Sequence, residues 1–492
     1  MDKEVPLYRL LKSPWFIMSL SFGLLLLITI NRPMMVDEGM WNYIGRIWLE
    51  HDLPPYHSSV ENKTPGIFYL FALSHSLFGV NVIFVRILGI LSIVAGIPVL
   101  RKILTQLHSE PAAVLGMYFW GLGNTWNAFE GYYPSVTESF MCLFVLLAFW
   151  STLKADRKKH VLRNYLLAGI YLGLAVSFKQ VALFSMAGLF LFFVLTRRKQ
   201  MSSGKILSGL GLMLASSLAA HSLMLLPLMF SGVSFREYFE GAWLILLNPG
   251  TYEAPVQHLY SFFQAWFNER LFFFLLIIPL AGWHHHLFKK PWFIAIVIWL
   301  FFDFVAINIS GTYHAHQFKQ ILITFSLLLP VLFAESFDHA ALAARKGKKS
   351  AALMLSGLVI IMLPYESIVI NGYFSGFPNH PTELGKWIET NTKPGDSVFC
   401  FLPGKGGTVM AYSDRVSPYK YFHLIFLNTQ DDKSEFMKDL YKKPPDVMVK
   451  DAGRFRNWGK PDSTFMTNYR PVRFKHGYTV YFSKDMPLPE NE

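Results

Sequence analysis

Residues 16–39 read FIMSLSFGLLLLITINRPMMVDEG, so a nearly unbroken apolar run is followed at once by two adjacent carboxylates. The apolar part predicts a helix that enters a bilayer. Ionised side chains so close to a membrane lose hydration at a cost, and Asp37 and Glu38 therefore indicate a function. The alternative is structural, because Asp and Glu also suit the N-cap or first turn of a helix.

The composition is typical of a membrane protein. Hydrophobic residues make up 52% of the 492 residues and charged residues 16%, and the apolar residues form runs long enough to cross a bilayer. The formal net charge is +12, but the basic residues lie in short loops between these runs, at 101–102, 154–163, 197–199, 289–290 and 345–349. This is the pattern of cytoplasmic loops, so we expect no nucleic-acid partner.

Cys142 in an apolar run and Cys400 in the polar tail predict no disulfide.

The order of apolar runs predicts a mainly α fold, a polytopic transmembrane helical bundle of about 11 spans. The runs lie at about 14–31, 82–103, 110–128, 134–153, 162–178, 180–196, 205–230, 270–288, 291–309, 317–335 and 350–370. The basic N-terminus is expected inside, and the first run has no A-x-A-like cleavage site, which predicts a retained signal anchor. Asp37 and the C-terminus are then expected outside.

The predicted span before residues 64–79 ends on the outer side of the membrane, and the span after them begins there. Residues 64–79 must therefore begin and end on the outer side. We therefore expect this segment, like the amphipathic residues 40–50, to form an outer juxtamembrane helix along the bilayer surface. The alternative is that residues 64–79 cross the membrane and another of the predicted spans does not.

The tail differs from the rest of the chain. From about residue 372 the long apolar runs stop, and strand-like pieces follow at 397–402, 447–450 and 478–482, with a helix-like piece at 381–390. This pattern predicts a transmembrane domain at 1–371 and a small extracytoplasmic α/β domain at 372–492.

The predicted topology gathers polar residues at the outer boundary, whereas the inner loops hold mainly Lys and Arg. Carboxylates there could act as a general base or hold a metal, and lysines could bind a phosphate as point charges. The outer residues are Asp37, Glu38, Lys63, Glu130, Tyr132, Tyr133, Glu138, Lys179, Gln180, Glu237, Tyr252, Glu253, His258, Tyr313, His314, His316, Gln317, Lys319 and Gln320.

Single residues of this set have structural alternatives. Lys63 could cap the interface, and Lys179 could extend its ammonium group to the membrane surface. Glu138, early in a span, is a functional candidate by default. His314 and His316 could bind a metal or a phosphate, but a spacing of two residues faces one side only in an extended strand.

Several motifs follow one another in a characteristic order. DEGMWNY at 37–43 is followed by LPPY at 53–56, NKTPG at 62–66, Phe78-Gly79 and Val85-Arg86. Later matches are Thr137-Glu138, Lys179, HQFKQ at 316–320, LGKWIETNTKPGDS at 384–397, Arg415 and PPDV at 444–447. The chain resembles the GT-C superfamily of polytopic membrane glycosyltransferases over nearly its whole length. The resemblance is to the bacterial branch related to protein O-mannosyltransferases and to the aminoarabinose transferase that modifies lipid A. Where that family usually has K-P-P, this chain has Lys63-Thr64-Pro65.

The resemblance implies a hexosyl- or pentosyltransferase that uses a polyprenyl-phosphate sugar donor and a lipid, glycan or protein acceptor. Asp37 would be the general base of an inverting displacement, and Glu38 would orient it or raise its pKa. Lys63, Lys179 and His316 would bind the donor phosphate and stabilise the leaving group. The predicted acceptor- or sugar-binding residues are Tyr133, Glu138, Tyr313 and Gln320.

Some relatives use a divalent metal and others do not, and the lack of a dense carboxylate cluster argues against an obligatory one. The bacterial resemblance predicts a bacterial inner (cell) membrane location. Two other classes stay open at this point. A transporter or lipid flippase of cell-envelope precursors would place polar residues near the midplane, commonly in duplicated halves, which the sequence does not show. A noncatalytic scaffold for the outer domain would not need Asp37 or Lys63.

Overall fold

A computed structural model describes residues 13–129, 133–155, 160–247, 260–264, 277–309, 313–343, 379–402, 404–427, 430–451, 461 and 463–489. Some predicted features lie outside these residues. They are the span at 350–370, residues 270–276 of the span at 270–288, the basic loop at 345–349, the domain boundary near 372, and Glu130, Tyr132, Tyr252, Glu253 and His258.

Helices dominate the described chain, as predicted. In order they are α1 Pro14–Leu27, α2 Val36–His51, α3 Gly66–Phe78, α4 Ile83–Leu107, α5 Glu110–Phe129, α6 Thr137–Lys154, α7 Val161–Phe178, α8 Ala182–Arg197, α9 Ser203–Phe230, α10 Phe235–Ala242, α11 Ile277–Trp283, α12 Pro291–Asn308, α13 Lys319–Ala343, α14 His380–Thr390, α15 Gly406–Tyr412, α16 Gln430–Lys442 and α17 Ser463–Met466. Short 3₁₀ turns include Ala315–Phe318 and Lys475–Gly477. The strands are β1 Val398–Phe401, β2 Val447–Asp451, β3 Tyr469–Arg473 and β4 Tyr478–Ser483.

Six of the described helical segments are long and apolar enough to cross a membrane. They are Ile83–Leu107, Thr137–Lys154, Val161–Phe178, Ser203–Phe230, Pro291–Asn308 and Ala315–Ser336. This set confirms a multi-pass membrane protein. Helices α1, α3 and α8 are apolar but shorter. The 13 residues of α3 extend about 20 Å, less than the hydrocarbon thickness of about 30 Å, which favours the juxtamembrane interpretation of residues 64–79.

The chain divides into two compact units. The first unit comprises Met1–Asn31, Arg86–Met224 and Glu253–Gly376, and the second comprises Arg32–Val85, Leu225–Tyr252 and Phe377–Glu492. In the first unit α6 packs on α7, α8 on α12, and α5 on both α1 and α13. Small residues allow close approach there, since a Cβ at Gly169 of α7 would clash with the carbonyl oxygen of Met213 in α9. Such contacts are typical of helices packed in membranes.

In the second unit, α2 packs on α3 and on α15, and α14 packs on α15. A four-stranded sheet has the order β1-β2-β4-β3. Strands β1 and β2 are parallel, with Val398 opposite Val447, and β4 runs antiparallel to β2 and β3. The sheet confirms the predicted α/β character of the tail. Strand β3 was not predicted, because it contains Pro471 between exposed or half-exposed residues, a combination that suits an edge strand.

Candidate functional site

The carboxylates of the DEG motif have different environments at the start of α2. Glu38 is fully buried, and its Oε2 accepts a hydrogen bond from the backbone N–H of Met35, the N-cap residue, at 2.9 Å. Glu38 therefore satisfies a backbone donor that the helix itself leaves unpaired. Asp37 is half-buried and accepts no hydrogen bond from the described residues. Glu38 thus has the helix-capping role that the sequence offered as an alternative. The Asp37 carboxylate keeps its lone pairs available.

The third residue of the motif explains how α2 is packed. A Cβ on Gly39 would lie 2.5 Å from the backbone nitrogen of Thr408 in α15. In the same contact, a Cβ on Gly407 would lie 2.7 Å from the backbone nitrogen of Met40. Glycine at both positions lets the two helices approach closely, which places the first turn of α2 against the α/β part of the second unit.

Lys63 lies in a polar loop together with Glu61, a residue that sequence reasoning missed. The Lys63 ammonium donates to Glu61 Oε1 at 3.3 Å and to Asn62 Oδ1 at 2.6 Å. Glu61 is fully buried, and its Oε2 has no hydrogen-bond partner among the described residues. Burial raises the pKa of Glu61 despite the opposing charge of Lys63, and the negative charge of Asp37 raises it further. The sequence did contain a signal for Glu61, because this acid stands two positions before Lys63 of the NKTPG motif.

His423, in the tail, completes this group. It is buried, and burial lowers its pKa to about 3, although the charge of Asp37 and a hydrogen bond to the backbone of Val60 act in the opposite direction. His423 is therefore neutral at pH 7. Asp37, Glu38, Glu61, Lys63 and His423 are called the acidic group below. No local signal in the sequence connects His423 with Asp37, because their electrostatic interaction is between distant segments.

In the first unit, a second group forms around Glu138, in the first turn of α6 and 1% exposed. Lys179, which follows α7, donates to Glu138 Oε1. His316 Nε2 lies 3.7 Å from the same oxygen. Lys319, also buried, donates to Ser139 Oγ at 2.9 Å. Glu138, Lys179, His316 and Lys319 are called the basic cluster below, since two ammonium groups accompany one carboxylate.

Gln320, a predicted acceptor- or sugar-binding residue, lies in a buried polar network of the first unit. Its Nε2 donates to Asp303 Oδ1 at 3.1 Å. The same oxygen accepts from Ser185 Oγ at 2.8 Å, and Asp303 Oδ2 accepts from Thr324 Oγ1 at 3.2 Å. Asp303 was missed because it is a single acid within the apolar run of α12. A buried carboxylate needs such donors, so the network accounts for the presence of Asp303 in the helix bundle.

The two predicted tyrosines have separate contacts in the first unit. The guanidinium of Arg86 lies 4.2 Å from the ring centroid of Tyr133, and it also donates to the carbonyl of Ile30 at 2.9 Å. The hydroxyl of Tyr313 donates to Asn308 Oδ1 at 3.0 Å. The predicted site residues therefore form two sets: Asp37, Glu38 and Lys63 in the second unit, and Tyr133, Glu138, Lys179, Tyr313, His316 and Gln320 in the first.

Among the described residues, neither group has three metal-ligating side chains within reach of one ion. In the part of the chain that the structure describes, a set of three His, Cys, Asp or Glu side chains within ligand reach occurs at His380, Glu383 and His476, outside both groups. His314 and His316 have stacked rings, with centroids 5.7 Å apart. The metal dependence of the protein stays a prediction.

A family model matches residues 62–221, a range that contains Lys63, Glu138 and Lys179 but not Asp37. The family is described as dolichyl-phosphate-mannose-protein mannosyltransferase. No curated protein matches the sequence significantly.

Solved structures match over most of the chain. ArnT from Cupriavidus metallidurans bound to undecaprenyl phosphate is similar with a TM-score of 0.63 at 12% identity, covering 97% of this chain and 99% of that one. ArnT in the apo state gives a TM-score of 0.55 at 14% identity, covering 95% and 97%. The archaeal oligosaccharyltransferase AglB from Archaeoglobus fulgidus, in complex with an inhibitory peptide and a dolichol-phosphate, gives 0.56 at 14% identity, covering 96% and 75%. These matches confirm the fold that the resemblance predicts: the chain has the fold of ArnT and of the archaeal oligosaccharyltransferase.

Proposed function

We propose that the protein is a membrane glycosyltransferase that moves a sugar from a polyprenyl-phosphate donor to an acceptor hydroxyl. The observation that carries this proposal is Asp37, a half-buried carboxylate that accepts no hydrogen bond from the described residues. The adjacent Glu38 is bonded to the backbone. Two similar protein structures hold undecaprenyl phosphate or dolichol-phosphate, which supports a lipid-phosphate donor here.

Asp37 acts as the general base. Its carboxylate takes the proton of the acceptor hydroxyl while the hydroxyl oxygen attacks the anomeric carbon. The bond from this carbon to the phosphate oxygen breaks, and polyprenyl phosphate leaves with the electron pair. One displacement inverts the configuration at the anomeric carbon. General-base catalysis of this kind contributes about 10²–10⁴-fold to a rate.

The lysines stabilise the phosphate. The basic cluster contains the ammonium groups of Lys179 and Lys319 and the carboxylate of Glu138. Its formal charge is therefore positive, which suits the binding of an anion. An ammonium group has three donors, so pairing of Lys179 with Glu138 is compatible with a further bond to phosphate. His316 is a third donor for the same role. Lys63, held by Glu61 and Asn62, is the corresponding phosphate ligand in the acidic group.

The remaining predicted residues receive finer assignments. Glu38 holds the first turn of α2 and so positions Asp37. Glu138 positions Lys179, while Tyr133, Tyr313 and Gln320 are proposed contacts for the acceptor or sugar. We also propose a bacterial inner membrane location, because the resemblance is to bacterial proteins. A cytoplasmic N-terminus and extracytoplasmic residues 372–492 are proposed because the basic loops follow the positive-inside pattern. The sugar is proposed to be a hexose or pentose.

The test uses the purified protein in nanodiscs. A panel of polyprenyl-phosphate sugars is added together with a cell-envelope extract as the source of acceptor, and release of polyprenyl phosphate is followed by mass spectrometry. Wild type should release it from at least one donor, and Asp37→Asn should not. Asp52→Asn is the matched control, since Asp52 is an exposed carboxylate at the C-terminal end of the same helix, in a left-handed conformation that asparagine tolerates.

Two outcomes would contradict the proposal in different ways. Absence of release from every donor would overturn the glycosyltransferase assignment and favour a transporter of cell-envelope precursors. Release that Asp37→Asn leaves unchanged would keep the activity but exclude Asp37 as the base.

A further inference from the structure

Three metal-ligating side chains converge in the second unit, apart from the acidic group. His380 begins α14, and Glu383 lies one turn later on the same helix. His476 lies in the 3₁₀ turn Lys475–Gly477 between β3 and β4. One ligand atom of each residue lies within 4.8 Å of the other two. Residues three apart on a helix share a face, so His380 and Glu383 lie next to each other on α14. The tertiary fold brings His476 to this pair.

The three side chains do not satisfy one another's hydrogen-bonding groups. His476 Nε2 lies 3.7 Å from Glu383 Oε2, beyond hydrogen-bond distance. The His380 and His476 rings are stacked with centroids 3.3 Å apart. Nδ1 of His380 is buried and has no hydrogen-bond partner in the described part of the chain. A buried imidazole nitrogen without a partner is costly, and a bound cation would remove that cost.

The surrounding structure holds the three side chains on rigid elements. His476 and Gly477 both have positive φ, 62° and 82°, and the backbone N–H of Phe474 donates to the carbonyl of Tyr478 at 2.9 Å across the turn. Trp387 of α14 packs against Phe474 and Phe482, with ring centroids 5.3 and 6.0 Å away. Helix and hairpin are therefore fixed to each other before any ion binds, which lowers the ordering cost of binding.

We propose that His380, Glu383 and His476 bind a divalent transition-metal ion, with Zn²⁺ as the expected ion. Two imidazole nitrogens and one carboxylate oxygen suit zinc, whose bonds to such ligands measure about 2.0–2.2 Å. Ligands in a tetrahedral arrangement then lie about 3.3 Å apart, whereas the ligand atoms here lie within 4.8 Å of one another, so the stacked imidazole rings turn toward the ion as it binds. Mg²⁺ and Ca²⁺ prefer oxygen ligands and fit this set poorly. The fourth position is open to water.

The ion would link the first turn of α14 to the β3–β4 hairpin and so stabilise the α/β part of the second unit. The charge of Glu383 offsets the unfavourable position of a cation at a helix N-terminus. None of the three residues belongs to the machinery of the proposed transfer reaction, so metal binding and transfer can be tested separately.

The experiment uses the full chain without a histidine tag, stripped of metal and reconstituted in nanodiscs. Co²⁺ is titrated as a spectroscopic substitute for Zn²⁺. We expect one equivalent to produce the visible absorption of a four-coordinate site, and Zn²⁺ to displace it. Glu383→Gln and His476→Ala should each lower the affinity by roughly 100-fold or more, beyond the usual effect of losing a residue that only supports a ligand. The control is His51→Ala, an exposed histidine outside the cluster, which should bind normally.

Thermal unfolding is the second measurement. Zn²⁺ should raise the Tm of wild type with increasing concentration, since an ion that binds the folded state stabilises it, and should not raise that of Glu383→Gln. Asp37→Asn should respond to Zn²⁺ as wild type does, whatever its transfer activity. Absence of the Co²⁺ absorption in wild type, or equal absorption in Glu383→Gln, would overturn the metal site.

Discussion

The acidic group of the second unit and the basic cluster of the first unit are opposite in charge and in how their key residues are bonded. The acidic group has the carboxylates of Asp37, Glu38 and Glu61 with the ammonium of Lys63. The basic cluster has the ammoniums of Lys179 and Lys319 with the carboxylate of Glu138. The first composition suits proton abstraction and the second suits an anion. The proposed general base therefore belongs to the acidic group, and the basic cluster is expected to bind an anion.

The groups also differ in how much folding depends on them. Asp37 is half-buried and accepts no hydrogen bond from the described residues, so its substitution should affect chemistry rather than folding. Glu138 and Lys319 are each 1% exposed, and a buried charge that loses its partner is strongly destabilising. Substitutions in the basic cluster should therefore affect folding and transfer together.

The largest effect is expected from the two neighbouring carboxylates of α2. Asp37→Asn should lower the transfer rate by about 10²–10⁴-fold, the usual contribution of a general base, with a change of less than about 0.5 kcal/mol in the free energy of unfolding. Glu38→Gln should keep transfer within about tenfold of wild type, because glutamine also accepts the hydrogen bond of a capping box. Initial rates of polyprenyl phosphate release measure both. Equal losses in the two variants would remove the distinction between base and cap.

The ion pair of the basic cluster comes next. Lys179→Met should cost about 3–5 kcal/mol of stability, because it leaves the buried carboxylate of Glu138 without its ammonium partner. Adding Glu138→Gln to this variant should restore most of the thermal stability but not the transfer rate. The two readouts are the Tm and the release of polyprenyl phosphate. Recovery of transfer in the double variant would show that Lys179 serves folding and not the phosphate.

A structural contact at the other end of α2 sharpens the comparison. Arg46 is fully buried and donates to Asp414 Oδ1 at 3.1 Å and to the carbonyl of Arg415 at 2.6 Å. Arg46→Met should cost about 2–4 kcal/mol, since it removes the donor of the buried Arg415 carbonyl, while the rate per folded molecule stays normal.

The matched control for this variant is Arg236→Met, whose guanidinium is exposed and pairs with Glu240 on the same helix. Its Tm should remain close to that of wild type. A loss of transfer per folded molecule in Arg46→Met would place Arg46 in the reaction instead.

The acid side of the stability profile should depend on His423. Burial lowers its pKa to about 3 from an ordinary value of 6.5, so the unfolded chain binds the proton first as the pH falls. The contribution of neutral His423 to the free energy of unfolding is fully present above pH 6.5. It is lost toward pH 3, by about 1.4 kcal/mol for each pH unit. His423→Gln should flatten this decline in a series of Tm measurements from pH 7 to pH 4.5. An unchanged slope would contradict a neutral, buried His423.

Glu61 should show the opposite dependence, with the smallest effect. Its pKa is raised, mainly by burial, so its contribution to stability is fully present below the pKa of the unfolded chain and falls as the pH rises through the folded value. Glu61→Gln removes the ionisation, and its Tm advantage over wild type should grow above about pH 4.5 and then level off. Parallel curves for the two proteins would indicate that Lys63 cancels the cost of burial.

Much of the fold follows from local patterns in the chain. Apolar runs predicted the helices α4, α6, α7, α9, α12 and α13, because the bilayer requires long apolar segments that satisfy their own backbone hydrogen bonds. The strands β1, β2 and β4 and helix α14 were predicted from short apolar alternation in the tail. The residues Asp37, Glu38 and Lys63 were identified because each belongs to a motif of consecutive residues.

Other features depend on which distant segments meet. The burial of Glu61, the position of His423 near Asp37, the donors around Asp303 and the approach of His476 to His380 leave no local trace in the sequence. Burial and the electrostatic field at a side chain are set by all of its neighbours, so the tertiary structure determines which carboxylate is bonded and which remains available. The chain alone thus specified the membrane fold and its motif residues, whereas tertiary packing separated the capping role of Glu38 from the available carboxylate of Asp37.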